Sequence, residues 1–142
     1  MMVYIGSDHA GFEHKIKIIE FFQQKNIFIE DCGPINTNSV DYPDYAHIVS
    51  KKVLQNNNAL GILICGTGNG MAITANKYPN IRAGICWNTE IAQLVKSHNN
   101  ANIICIPARF TGINESIQII EMFLNTAFEG GRHLNRINKI NC

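Results

Sequence analysis

Cys65-Gly66-Thr67-Gly68-Asn69-Gly70 is the stretch with the clearest chemical potential. It follows the apolar run 61–65 and opens onto helix-like sequence. Its three glycines allow close backbone approach and left-handed turns. Free N–H groups at a helix start can hold a phosphate or an oxyanion that develops during reaction. The same partial positive charge favours a thiolate, and a thiolate can act as a base or a nucleophile. The loop is neither a P-loop, since Gly-Lys-Ser/Thr is missing, nor a dinucleotide fingerprint. A plain strand-to-helix turn with a buried thiol fits the same residues. Ser7-Asp8-His9 ends the first apolar run. A carboxylate beside an imidazole can orient it, share its proton or bind sugar hydroxyls; helix capping by Asp8 is the alternative. His98-Asn99 ends a helix-like segment, where the dipole favours an imidazolium suited to general-acid work. Of the four arginines, Arg109 follows the last strand, and Arg132 and Arg136 stand four apart after Gly130-Gly131. On a helix these two share a face and suit a phosphate. His14 and His47 read as surface residues within helices.

These groups must be positioned by an alternation of elements. Strand-like runs occupy 3–7, 27–32, 61–65, 82–86 and 102–106. Helical patterns occupy 12–25, 44–55, 71–77, 89–97 and 114–128, with Asp44 and Thr89 as caps and Gly130-Gly131 as a stop. The polar stretch 35–43 is a loop, and the tail after 131 adds a turn or two of helix. Strands alternating with helices predict an α/β fold, a five-stranded parallel sheet with helices on both faces. Ligands then bind beyond the carboxyl ends of the strands, at Ser7-Asp8-His9, Cys65 with its loop, Trp87-Asn88 and Pro107-Ala108-Arg109. One domain, 1–142 with the tail 130–142 included, fits the length.

The 142 residues are 46% hydrophobic and 16% charged, with net charge +1. That balance excludes intrinsic disorder and speaks against nucleic-acid or membrane partners. The five cysteines are widely spaced, without Cys-x-x-Cys, and no signal peptide is evident. A reducing, cytoplasmic setting is expected, with Cys32, Cys86, Cys105 and Cys142 as structural thiols. The abundance of asparagine and isoleucine reads as coding bias.

The chain resembles the type B ribose-5-phosphate isomerases, a family that includes galactose-6-phosphate isomerase subunits. The resemblance rests on Ser7-Asp8-His9-Ala10-Gly11-Phe12, Asp41-Tyr42-Pro43, the run from Gly61 through Cys65 to Gly70, Ala75-Asn76-Lys77, Ile81-Arg82-Ala83, His98-Asn99 and Glu129-Gly130-Gly131-Arg132-His133. It implies a Rossmann-like three-layer sandwich and a homodimer or dimer of dimers, with sites at the subunit interface. The implied reaction interconverts D-ribose 5-phosphate and D-ribulose 5-phosphate through a cis-enediolate, with no metal or cofactor, in the non-oxidative pentose phosphate pathway. His98, with Asp8, is then expected to open the ring, Cys65 to move the proton from C2 to C1, and Thr67 to relay a proton between the oxygens. Backbone groups of Gly66, Thr67, Gly68, Asn69 and Gly70 would hold the oxyanion. Asn99 and Tyr42 would hold hydroxyls, and His9, Arg109, Arg132 and Arg136 the phosphate. Some relatives place a glutamate base at the end of the glycine loop; Met71 stands there and cannot take a proton, which leaves Cys65. Six-carbon sugar phosphates, a nucleotide-binding module and a redox role for Cys65 are the rival readings.

Overall fold

The computed structural model describes residues 1–141. Cys142, expected to be a structural thiol, lies outside the described residues. The strands are β1 (Val3–Ser7), β2 (Ile29–Asp31), β3 (Leu60–Cys65), β4 (Ala83–Ile85) and β5 (Ile103–Pro107). They form one parallel sheet in the order β2-β1-β3-β5-β4. The helices are α1 (Phe12–Gln24), α2 (Tyr42–Gln55), α3 (Asn69–Ala75), α4 (Thr89–Ser97), α5 (Ile113–Asn125) and α6 (Arg132–Ile137).

The three central strands are apolar on both faces, as a sheet covered on both sides requires. Val3, Ile5, Ile62, Ile64, Ile104 and Ile106 pack into one core cluster with Ile18 and Phe22 of α1 and Ile120 and Phe123 of α5. Tyr4, Leu63, Cys65, Ile103 and Cys105 point the other way, against Ala46 and Val49 of α2 and Met71 and Ala72 of α3. Alternation along each strand therefore distributes one sequence run between two cores. The result is the expected three-layer α/β sandwich.

Several boundaries differ from expectation. β2 is shorter than 27–32 because Ile27 N–H donates to the Phe22 carbonyl of α1 and Phe28 faces solvent. Helix α2 starts at Tyr42, with Pro43 in its first turn, so Asp44 lies inside rather than at the cap. Asn88, not Thr89, caps α4: its side chain accepts from Ile91 N–H at 2.8 Å. Helix α5 stops at Asn125, before the glycine pair. His14 and His47 are half-buried rather than solvated. His14 Nε2 lies 2.8 Å from the Thr111 carbonyl, where α1 meets α5, and His47 Nδ1 lies 2.6 Å from the Tyr78 hydroxyl.

The asparagines have a structural use that coding bias does not describe. Asn26, Asn58, Asn80 and Asn100 each adopt a positive φ, the left-handed region that asparagine tolerates better than most residues. Asn100 makes such a turn directly after His98-Asn99, where the chain leaves α4 for β5.

Candidate active site

The upper end of the sheet gathers one group of candidate residues. Asp8 follows β1, and its N–H donates to the Ile64 carbonyl, one residue before Cys65. Its carboxylate Oδ1 accepts from Gly11 N–H at 3.0 Å. This is the local turn that the capping reading foresaw, although the N-cap position itself is Gly11. His9 is exposed, and its Nδ1 accepts from Val40 N–H at 3.3 Å, so the loop before α2 folds over it.

Cys65 is buried at the end of β3, and its Sγ accepts a hydrogen bond from Gly68 N–H at 3.1 Å. Gly68 lies at φ 76, the left-handed conformation that turns this N–H back onto the sulfur. The Gly68 N–H is therefore taken up by the Cys65 sulfur and is not free to meet a developing oxyanion, which differs from the role expected for the whole loop. The other described cysteines differ. Cys32 and Cys86 donate weakly to carbonyls, and burial pushes their thiols up to about 11 and about 12. Burial, helped by Cys65 and Cys86, raises Cys105 well above the ordinary thiol value. These three stay protonated at neutral pH.

Thr67 and Asn69 are exposed on the loop, and Thr67 Oγ1 accepts from Asn69 N–H at 3.3 Å. Arg109 lies across the same loop. Its N–H donates to the Gly66 carbonyl, and a Cβ added to Gly66 would stand 3.0 Å from its Nε. Tyr42 closes the other side, since a Cβ on Gly70 would fall 2.5 Å from Tyr42 Cζ. Gly66 and Gly70 are glycines because two side chains lie directly on the backbone there. Met71 is fully buried in the same cluster as Cys65 and offers no proton acceptor.

His98, Asn99, Arg132 and Arg136 lie at the opposite end. Helix α4 runs back down the sheet, and Arg82, just before β4, donates from Nε to the Asn99 and Asn100 carbonyls. Burial lowers the Arg82 guanidinium, and burial together with Arg82 lowers the neighbouring Lys96. Strand register gives the separation. Ile103, entering β5, pairs with Gly61, whereas Cys65 pairs with Pro107. Four residues of strand span roughly 13 Å, and His98 follows α4 before the chain enters β5 at its lower end. Hydrogen-bond reach is about 3 Å, so His98 and Cys65 of one chain do not meet. Arg132 and Arg136 share the exposed helix α6, four residues apart as expected, at this lower end.

Two further residues join His98, and sequence reading assigned them no role. Glu129 N–H donates to the Ser97 carbonyl at 3.0 Å, which ties the loop before α6 to the end of α4. His133 then stacks on His98, with ring centroids 4.2 Å apart and planes at 13°. Glu129 Oε2 lies 3.4 Å from His133 Nε2 and 3.9 Å from His98 Nε2. Lys15 was also missed. It is fully buried, and its ammonium donates to Asp31 Oδ1 at 2.6 Å and to the Pro34 carbonyl at 2.7 Å. It thereby anchors the start of the loop that reaches His9. No sequence periodicity marks these contacts, because each joins segments that only the fold brings together.

Residues 3–140 match a protein family described as Ribose/Galactose Isomerase. The crystal structure of a ribose 5-phosphate isomerase from Thermotoga maritima is similar at TM-score 0.96 and 48% identity, over 99% of this chain and 97% of that one. A ribose-5-phosphate isomerase B from Mycoplasma genitalium, solved with bound ribulose-5-phosphate, is similar at TM-score 0.94 and 42% identity, over 98% and 93% of the two chains. The ribose-5-phosphate isomerase B of Mycolicibacterium paratuberculosis is 39% identical over 97% of this chain and 88% of its own length.

Proposed function

The chain belongs to the ribose/galactose isomerase family, and from that membership we propose that it interconverts D-ribose 5-phosphate and D-ribulose 5-phosphate. The carrying observation is the Cys65 sulfur, which accepts the Gly68 N–H inside a glycine loop flanked by Arg109 and Tyr42. Five- and six-carbon sugar phosphates share this chemistry. The ribulose-5-phosphate held by the Mycoplasma genitalium relative favours the five-carbon reading.

The working unit is a homodimer. Asp8, His9, Tyr42, Cys65 with its loop, and Arg109 occupy the upper end of one protomer. His98, Asn99, Arg132 and Arg136 come from the lower end of the other. A two-fold arrangement that joins unlike ends makes two identical sites. Large exposed apolar side chains at both ends support such a contact, with Trp87 and Phe110 above and Leu134 below. Among the described residues, no helix is long and apolar enough to cross a membrane. The four described cysteines are free, which fits a reducing compartment.

In the reaction, His98 donates a proton to the ring oxygen while Asp8 receives the one from the anomeric hydroxyl, and the sugar opens. The Cys65 thiolate takes the C2 proton, which the C1 carbonyl has acidified. Negative charge collects on the oxygens of the cis-enediolate. N–H groups of the glycine loop other than that of Gly68 meet this charge; one such donor is typically worth about 3–4 kcal/mol of barrier. Thr67 passes a proton from one oxygen to the other, and Cys65 returns its proton to C1. Asn99 and Tyr42 hold hydroxyls. His9, Arg109 and the partner's Arg132 and Arg136 hold the phosphate, whose binding energy positions the reacting carbons. The exchange is redox-neutral, and the proposed mechanism uses no cofactor or metal.

The direct test follows ribose 5-phosphate turnover by purified protein in chelator, beside Cys65→Ala. Turnover that falls by roughly 10²-fold or more in a folded mutant supports the assignment. Normal turnover by Cys65→Ala rejects Cys65 as the base. Turnover only with six-carbon phosphates moves the substrate to that class.

A further inference from the structure

We propose that His98, Glu129 and His133 form a binding site for a divalent transition metal such as Zn²⁺, and that occupancy withdraws His98 from catalysis. Metal binding stands on this cluster alone, whereas the inhibitory consequence rests on the isomerase reading above.

One ligand atom from each of the three residues can be chosen so that all lie within 4.8 Å of one another. A tetrahedral ion with ligands at 2.0–2.1 Å needs ligand atoms about 3.4 Å apart. Glu129 Oε2 and His133 Nε2 already have that spacing, at 3.4 Å. His98 Nε2 lies 3.9 Å from the same oxygen, but its ring is stacked on that of His133 with planes at 13°, so the partly exposed His98 ring must turn to bring its in-plane lone pair onto the ion. The backbone fixes the frame through Glu129 N–H on the Ser97 carbonyl and His133 N–H on the Gly130 carbonyl. Gly130 and Gly131 turn the chain at positive φ, which points the start of α6 back at α4. Exposure is graded as a metal site needs. The His133 side chain is 7% exposed, His98 37% and Glu129 58%, so one wall is built and the opposite side is open.

The donor set is also specific. Two imidazoles and one carboxylate leave a fourth position for water or a sugar oxygen. Imidazole donors select zinc, copper and nickel over calcium and magnesium. His98 Nε2 bound to metal can no longer donate a proton to the sugar ring.

The test uses the metal-stripped full chain. Co²⁺ titration is expected to give visible bands of tetrahedral intensity at one ion per chain, with Zn²⁺ displacing it. Glu129→Gln and His133→Gln should each weaken binding at least roughly tenfold, while Cys65→Ala leaves it unchanged. In the isomerase assay, Zn²⁺ should inhibit reversibly on chelation. The inhibition curve of Glu129→Gln, scaled to its own zinc-free rate, should move to at least tenfold higher Zn²⁺. Absence of the Co²⁺ bands, or bands that survive both cluster variants or vanish in Cys65→Ala, overturns the site. Bands without inhibition overturn the regulatory half. A protein inactive on ribose 5-phosphate overturns the isomerase reading, and the Co²⁺ spectrum still decides the metal site.

Discussion

Two inactive variants should restore each other if the site is split between protomers. Cys65→Ala removes the proposed base at the upper end, and His98→Asn removes the proposed acid at the lower end. Each homodimer then carries one lesion in both sites and loses roughly 10²-fold or more of its turnover. In a heterodimer the lesions segregate. One site contains both, and the other pairs an intact Cys65 with an intact His98. A purified heterodimer should therefore reach about half of wild-type activity per dimer, and a random equal mixture, half heterodimer, about a quarter. The figure follows from the register, which places Ile103 level with Gly61 while Cys65 pairs with Pro107. That offset is roughly 13 Å along the strands, far beyond proton-transfer distance. The assay co-expresses the variants with different tags, isolates the doubly tagged species, and measures ribulose 5-phosphate formation. Assembly is thus scored separately from activity. A doubly tagged dimer no more active than its parents would refute the split site, because an intrachain site leaves a lesion in every copy.

Other outcomes follow from individual contacts. Gly70→Ala places a methyl 2.5 Å from Tyr42 Cζ; the half-exposed ring must swing away, so KM for ribose 5-phosphate should rise while the urea midpoint stays near wild type. Asp31→Ala leaves the Lys15 ammonium buried with only the Pro34 carbonyl and should cost about 3 kcal/mol in urea unfolding. Lys15→Met, which removes the charge itself, should cost less; the reverse order would contradict the buried-charge argument. Stability should hold up to pH 9.0, the ordinary thiol value, and fall above it, because the unfolded chain ionises thiols that the fold keeps protonated. For Cys86, pushed up to about 12, the loss runs from 9.0 towards 12 at about 1.4 kcal/mol per pH unit. Cys86→Ala should flatten that decline in denaturant titrations across the range.

The parallel sheet was legible because its signals are local. Runs such as Ile62-Leu63-Ile64, apolar at consecutive positions, belong to a strand covered on both faces. Three glycines after Cys65 announced a special backbone, and the structure supplies the reasons, with Arg109 on Gly66, Tyr42 on Gly70 and a left-handed Gly68 aimed at the sulfur. Element ends were less legible. Asn88 displaced Thr89 as cap, and β2 lost Ile27 to the end of α1, because neighbouring candidates compete for the same hydrogen bonds.

The identities of the proposed reactive groups are therefore a property of the sequence: a thiol before a glycine loop, an Asp-His pair, a His-Asn pair and three arginines beside the turns. Which of them can act together is decided by tertiary structure. Cys65 leaves β3 at one end of the sheet and His98 leaves α4 at the other, so strand direction and helix return send them to opposite poles of one chain. The reverse holds for Glu129 and His133, which carry no periodic signal. They meet His98 because one backbone hydrogen bond to Ser97 closes the loop against α4. Periodicity records which way a side chain faces along its own element, whereas distance between elements depends on chain direction and packing, which no local pattern encodes.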